Sequence, residues 1–515
     1  MPPRDPVLIP PILSRDLPAA EAGGAEVPLD SLTALGAAGA VRRGELSVAA
    51  LVGASLRRIA ERNDRINAIV TLDTAGAALA VDAARRRLAE GGVLPSLLGV
   101  PVSIKDAFAT AGLRTTASHR PLRDYVPAQD ATVVARLRAA GAVIVGKSNL
   151  PELAGAPHCW SPLFGLTRNP WNPELTPGGS SGGAAAAVAS GFSLLETGSD
   201  LAGSIRIPAA YCGVAGFKAT ENRIPRSGHI PHLPASYGGV RSVRHMLSLG
   251  VLARSVADLH LGYHLMAGPD GVDIEVPAIP PPAPLPAPTG RRLRLALWDD
   301  FGLPLCARTL AAFERVAKTL AAAGHEVCRG TPPGLDPVEL HDTFGRIAGA
   351  EIGLGMPGWQ RGILPVARHL LPRSERLLGA IARGMCLDMR DYNRALARRD
   401  EAIAGLERHL AAFDALLCPV ATTVAYAGRP QGAFSKPPKL MVDGRRLPYL
   451  EATIGLTVPF SLTGSPVVAL PAGIEAGLPV GLQVVGRRWE DDAVLAVAAE
   501  LESLLGGFVA PPWPA

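Results

Sequence analysis

Lysine is scarce in this chain. Of its 51 basic residues only six are lysines, at positions 105, 147, 218, 318, 436 and 439, and the other 45 are arginines. A GC-rich coding bias accounts for most of the imbalance, but it cannot supply an amine that loses its proton near neutral pH. Guanidinium stays charged, whereas a buried ammonium shifts its pKa readily. Each remaining lysine is therefore a candidate for chemistry that arginine cannot perform. Cysteine is sparse too: Cys159, Cys212, Cys306, Cys328, Cys386 and Cys418 form no C-x-x-C pair. That argues against a disulfide scaffold and fits buried or idle thiols in a reducing compartment. No apolar run approaches the roughly eighteen residues of a membrane span. Near the start, prolines at 2, 3, 6, 10, 11 and 18 break the apolar stretch that a signal peptide would need. Dense charge is also missing. The longest basic run is Arg85-Arg86-Arg87 and the net charge is only +5, so neither nucleic acid nor a membrane surface is an expected partner. Cytoplasmic residence is the default expectation.

What is present is an ordinary globular mixture, 48% apolar and 19% charged over 515 residues. Such a length accommodates roughly two to four domains or one unusually large α/β domain. The 56 glycines and 48 prolines stay below the roughly 25–30% that marks low complexity, which describes a loop-rich but packed protein. After an extended start over residues 1–26, helical spacing is expected around 47–61 and 75–90. A short strand over Leu97–Ile104 then ends on Lys105-Asp106. Asp130 is positioned to cap a helix carrying Val133, Val134 and Leu137, and Ala142–Val145 reads as the next strand. This strand–helix–strand rhythm is that of an α/β sheet. A Gly/Ser loop over 176–183 opens onto the small-residue helix that begins at Ala184, and its amides are expected to favour partial negative charge. The Pro-rich stretch 276–290 reads as an internal connector. Beyond it, strands are expected at Leu293–Leu297, Val467–Leu470 and Leu482–Val485, with a closing helix over 490–504.

Chemistry concentrates in three segments: Pro101-Val102-Ser103-Ile104-Lys105-Asp106, the loop Gly178–Gly183, and Gly198–Ala209 with Asp200, Ser204 and Arg206. Together with Gly146–Glu152, Asn169-Pro170-Trp171, Tyr211-Cys212-Gly213, Gly216-Phe217-Lys218 and Leu478–Gly486, they resemble the amidase signature family from about residue 30 to 505. The resemblance implies a single large α/β/α domain, residues 27–510, with a mixed central sheet covered by helices. It also implies a Ser–cis-Ser–Lys triad: Ser204 as nucleophile, Ser180 as proton relay and Lys105 as base. The oxyanion donors would be the amides of Leu201, Ala202, Gly203 and Ser204, with Gly179, Ser181, Asp200 and Arg206 in support. No metal or organic cofactor is expected. The physical logic stands beside the resemblance, because an alkoxide at neutral pH needs a nearby base and a neutral buried lysine can serve.

The sequence departs from the family pattern in places. Ala202 stands where glycine is common, which is expected to narrow the oxyanion pocket or restrict its backbone rather than abolish activity. Ser199 replaces a usual threonine, and Ala219 and Glu221-Asn222 break the stretch after Gly-Phe-Lys. Gly178–Gly182 also fits the G-x-S-x-G nucleophile elbow, but that motif demands a preceding strand and Pro170, Pro173 and Pro177 crowd the approach. His260 and His264 are spaced for a metal on one helix face, yet no third ligand is evident, and satisfied histidines are the expectation. His158-Cys159 is thin evidence for a Cys–His nucleophile. Lys147 and Lys218 are expected to anchor backbone or carboxylates. The expected reaction is hydrolysis of a small-molecule carboxylic amide through an acyl-enzyme, by a chain for which a homodimer is allowed. The alternatives are an amidotransferase subunit releasing ammonia from glutamine for a partner enzyme, or a non-catalytic binding member of the family.

Overall fold

Eleven strands form one sheet among the described residues, and they come from both sides of the Pro-rich connector. The computed structural model describes residues 27–230, 242–278, 284–286, 290–356, 374–427 and 439–513. The expected extended segment 1–26 and parts of the 276–290 connector lie outside them. In chain order the strands are β1 (Ile69–Leu72), β2 (Pro101–Lys105), β3 (Val143–Ser148), β4 (Leu195–Asp200), β5 (Ala215–Lys218), β6 (Ser248–Ala253), β7 (Arg294–Leu297), β8 (Glu326–Arg329), β9 (Ala415–Pro419), β10 (Val467–Glu475) and β11 (Leu478–Val485). Their spatial order is β1-β3-β2-β4-β6-β5-β10-β11-β9-β7-β8. Parallel pairs join β2 to β3 and β4, and β7 to β8 and β9. The remaining pairs are antiparallel, so the sheet is mixed, as expected.

Helices cover both faces. We label four of them: α1 (Gly182–Ala189), α2 (Arg206–Cys212), α3 (Val256–Met266) and α4 (Asp491–Leu505). Gly198 of β4 faces Leu252 and, just before α2, Ile205, whereas Gly262 of α3 faces Val251 and Leu195. Val251 and Leu252 are successive residues of β6, and successive strand residues point to opposite faces. The start of α2 and α3 therefore lie on opposite sides of the sheet. Phe217 and Tyr263 agree, packing edge to face at 5.3 Å, while the neighbouring Gly216 meets Ala209 of α2.

Most expected elements form, with shifted ends. Ser47 caps Val48–Ile66 by accepting from the Ala50 amide, and Asp73 caps Thr74–Glu90 in the same manner. The expected strand 97–104 begins only at Pro101, because Leu97 and Leu98 turn within a loop. Asp130 does not cap the helix Thr132–Ala139; the preceding residue is Ala131. Its carboxylate instead accepts from the Ala111 amide at 2.7 Å and from Arg138 Nε at 3.0 Å. No helix among the described residues is long and apolar enough to cross a membrane.

Candidate active site

Two neighbouring strands bring the site together. β2 and β4 run parallel, pairing Val102 with Leu195 and Ser103 with Glu196, so their carboxyl ends carry Lys105 and Asp200 to the same edge. Ligand sites of α/β sheets form at such carboxyl ends. The loop before α1 crosses this edge: the Ser181 amide donates to the Ser204 carbonyl at 3.1 Å. Ser180 follows a cis peptide bond from Gly179. Gly179 has no room for a side chain, since a Cβ there would lie 2.7 Å from the His158 nitrogen.

Lys105 is fully buried. Its Nζ donates to Ser180 Oγ at 2.8 Å, Ser181 Oγ at 2.8 Å and Ser199 Oγ at 3.0 Å. Removal from water disfavours the ammonium and pulls its pKa down to about 7, against the opposing charges of Asp200 and Glu196. An amine in that range exchanges protons at neutral pH, which is the property that arginine lacks. Ser204 is partly exposed, and among the described residues its hydroxyl has no hydrogen-bond partner. Of the triad residues expected from the sequence, Lys105 and Ser180 meet directly, while Ser204 joins the same loop through its backbone carbonyl and stands at the partly exposed side.

Asp200 shapes the turn that presents Ser204. Its carboxylate accepts from the amides of Gly203 at 2.7 Å and Ile205 at 3.0 Å, and from Arg206 Nη2 at 2.8 Å and Nε at 3.0 Å. Burial alone would raise its pKa, but the Arg206 charge and hydrogen bonds outweigh burial and hold it near about 2. Arg206 also reaches the Thr457 carbonyl, Gln483 Oε1 and Ser461 Oγ. The Asp200–Arg206 pair thus ties the Ser204 loop to the late part of the chain.

The oxyanion expectation needs correction at Gly203. Its amide already donates to Asp200 and is not free for a substrate oxygen. The amides of Leu201, Ala202 and Ser204 donate to no acceptor among the described residues, which leaves three donors in place of four. Gly203 is required for backbone reasons: its φ is +120°, and a Cβ would fall 2.6 Å from Thr457 Oγ1. Ala202 needs no such freedom, because it is absent from the positive-φ residues. Thr457 Oγ1 donates to the Ala202 carbonyl at 2.6 Å and so fixes the direction of the adjoining peptide.

Other expectations resolve here. In the Gly/Ser loop, three amides are already used: Gly178, Ser181 and Gly183 donate to Thr176 Oγ1, the Ser204 carbonyl and the Asn149 carbonyl. No strand precedes Ser180, only an isolated bridge from Leu175 to Ala427, so the elbow motif is accidental. Cys159 is buried with its thiol pushed up to about 11 by desolvation, and His158 faces Tyr449 Oη at 2.8 Å. Lys147 holds the Phe108 carbonyl and the hydroxyls of Thr110 and Thr115, and Lys218 holds the carbonyls of Ser465 and Ala219. Sequence reasoning missed Glu196, Ser199 as a Lys105 partner, Thr457 and Arg206's contact with Gln483. Glu196 is buried, bonded to the Ser103 hydroxyl and the Thr197 amide, and desolvation raises its pKa to about 7.

Residues 50–495 match the family described as Amidase. The chain belongs to the amidase signature family. This amidase-family chain is 36% identical over 493 residues to a glutamyl-tRNA(Gln) amidotransferase subunit of Roseiflexus castenholzii, an alignment covering 91% of this chain and 95% of that one. Among solved structures it is similar to a crystal structure described as an amidase, with a TM-score of 0.74 and 32% identity over 92% of this chain and 100% of that one. It is also similar to a glutamyl-tRNA(Gln) amidotransferase subunit from Thermotoga maritima, with a TM-score of 0.74 and 26% identity over 96% and 100% of the two chains.

Proposed function

We propose that residues 27–510 form a catalytic unit that cleaves a carboxamide by acyl transfer to Ser204. Ser180 relays the proton and Lys105 is the base. The observation that carries the reading is the buried Lys105 amine, held by three hydroxyls and poised near neutrality. Ser204 Oγ attacks the amide carbon while its proton passes to Ser180 Oγ, whose own proton passes to Lys105 Nζ. The carbonyl π pair moves onto oxygen, which the amides of Leu201, Ala202 and Ser204 stabilise. The proton returns through Ser180 to nitrogen as the C–N bond breaks, so ammonia or an amine leaves neutral. Water then repeats the sequence on the acyl ester, yielding a carboxylate and free Ser204. The scheme is complete without a metal or organic cofactor.

A second reading concerns the setting in which this chemistry works. The curated relatives are named as amidotransferase subunits, and they support a chain that releases ammonia from glutamine for a partner enzyme acting on charged tRNA. They favour this setting over a free-standing hydrolase of aliphatic or aryl amides. A non-catalytic binding role has the assembled Lys105, Ser180 and Ser204 against it.

Ammonia and amine release by the isolated chain, across primary amides, anilides, N-acyl amines and glutamine, separates these readings. Robust turnover of simple amides with poor use of glutamine supports the free-standing enzyme. Glutamine as the preferred substrate, with turnover that rises when a partner is added, supports the amidotransferase setting. Absence of turnover, together with no labelling of Ser204 by a serine-reactive phosphonate, sinks the catalytic reading.

A further inference from the structure

On the face of the sheet away from α2, the structure supplies the ligand that the sequence did not show. His260 and His264 lie four residues apart on α3, and Asp492, in the first turn of α4, faces both. His264 Nε2 is 2.7 Å and His260 Nε2 3.6 Å from Asp492 Oδ1, and one ligand atom from each of the three residues lies within 4.8 Å of the others. The expectation of satisfied histidines holds for His264 Nε2, which meets the Asp492 carboxylate, but the third candidate ligand that the sequence did not show is present. His264 Nδ1 is buried with no hydrogen-bond partner, so the cluster is not a closed polar network.

We propose that His260, His264 and Asp492 form a site for a divalent late transition-metal ion, zinc in the first instance, that clamps α4 onto α3. Two imidazoles and one carboxylate suit zinc, cobalt, nickel or copper far better than magnesium or calcium. Metal–ligand distances of about 2.0–2.1 Å require ligand atoms about 3.3 Å apart in a tetrahedron. The 3.6 Å contact is already close to that, and the 2.7 Å contact opens by rotating the half-exposed Asp492 side chain. Space for water as a fourth ligand exists beside the cluster, in a cavity of about 120 Å³ lined in part by His264, Asp492, Tyr263 and Glu490. Arg223, which also lines it, is engaged by Asp491 Oδ2 and the Trp489 carbonyl.

The site lies across the sheet from the start of α2 and the nucleophile loop, and its role is structural. A metal that binds the folded chain alone stabilises it by mass action. The test uses tag-free, full-length protein stripped with a chelator and titrated with Zn²⁺ alone by calorimetry. One equivalent should bind in the wild type, with a rise in melting temperature. His264→Ala and Asp492→Asn should each weaken binding tenfold or more and remove that rise. Co²⁺ should give the visible bands of a tetrahedral site in the wild type only. Amide cleavage should be unchanged by chelation, so failure here is distinguishable from failure of the Ser204 reading. Unmetallated variants that melt like the stripped wild type establish that they fold. Absence of binding, or binding equal in wild type and both variants, overturns the proposal. So does binding that disappears on alkylation of the half-buried Cys328 and Cys386.

Discussion

Lys105 and Lys218 are two fully buried lysines whose pKa values are both pulled down to about 7 by desolvation, yet their surroundings differ in kind. Lys105 faces three serine hydroxyls, groups that can give a proton as well as accept one. Lys218 faces the carbonyls of Ser465 and Ala219, which only accept. Lys147, lowered to about 8 by the same desolvation, holds a carbonyl and two threonine hydroxyls. A lowered pKa marks a functional site only when the partners can move a proton. Here the partners, not the titration, separate Lys105 from Lys218; Lys147 also meets hydroxyls but stands 3.9 Å from the buried Asp106 carboxylate, whereas Lys105 bonds the loop whose Ser181 amide reaches the Ser204 carbonyl.

The sharpest way to break that comparison is to remove the reacting groups. Ser204→Ala and Lys105→Ala should each lower kcat by on the order of 10³-fold or more, as loss of a nucleophile or its base does, while the melting temperature stays close to wild type for Ser204→Ala. Lys218→Met should retain the chemistry in whatever fraction folds. Near-normal turnover by Lys105→Ala at neutral pH would show that the hydroxyl cluster does not need the amine.

Next in size is the cost of losing an anchor. Lys147→Met strands the Phe108 carbonyl and leaves Asp106, 3.9 Å away and fully buried, without its cation. Unpaired buried groups of this sort cost about 2–3 kcal/mol. Denaturant unfolding should record that loss, and the pH midpoint of kcat/KM in the folded fraction should not move. A displaced midpoint would place Lys147 in the proton path.

The pH profile sharpens the comparison further. Lys105 acts as base only when neutral, so kcat/KM should rise with pH through an acid limb near about 7 and level off above it. Glu196 titrates in the same range, and its negative charge raises the pKa of Lys105. Glu196→Gln removes that charge, so the limb should move to lower pH and persist. Disappearance of the limb would identify Glu196 as the group being titrated.

The candidate set is legible in the sequence because each part is a short local pattern, Lys105 at a strand end, the Gly178–Gly183 loop and the segment Gly198–Ala209. What surrounds it is not. β4 carries Glu196, Thr197, Ser199 and Asp200, all buried, so it shows none of the apolar alternation that announces a strand. Thr457 and Gln483 meet the Ala202 carbonyl and Arg206 from more than 250 residues away, and no local pattern marks such contacts. Asp492 was invisible as a partner of His260 and His264 for the same reason. The amide of Gly203 was assigned to the oxyanion by analogy, whereas three-dimensional geometry gives it to Asp200.

The smallest expected effect concerns Ala202. Its methyl stands at a position with no positive φ, so replacing it with glycine relieves no backbone strain, and its N–H stays among the three amides of the loop that donate to no acceptor among the described residues. Ala202→Gly should therefore leave the pH limb and kcat for a small amide nearly unchanged. The methyl can still act through volume, since one carbon in a pocket is worth about 1–3 kcal/mol of discrimination. The ratio of kcat/KM for a bulky anilide to that for a small primary amide should rise severalfold in the variant. A uniform fall in kcat for every amide would instead assign the Ala202 methyl a part in holding the backbone of the loop before Ser204.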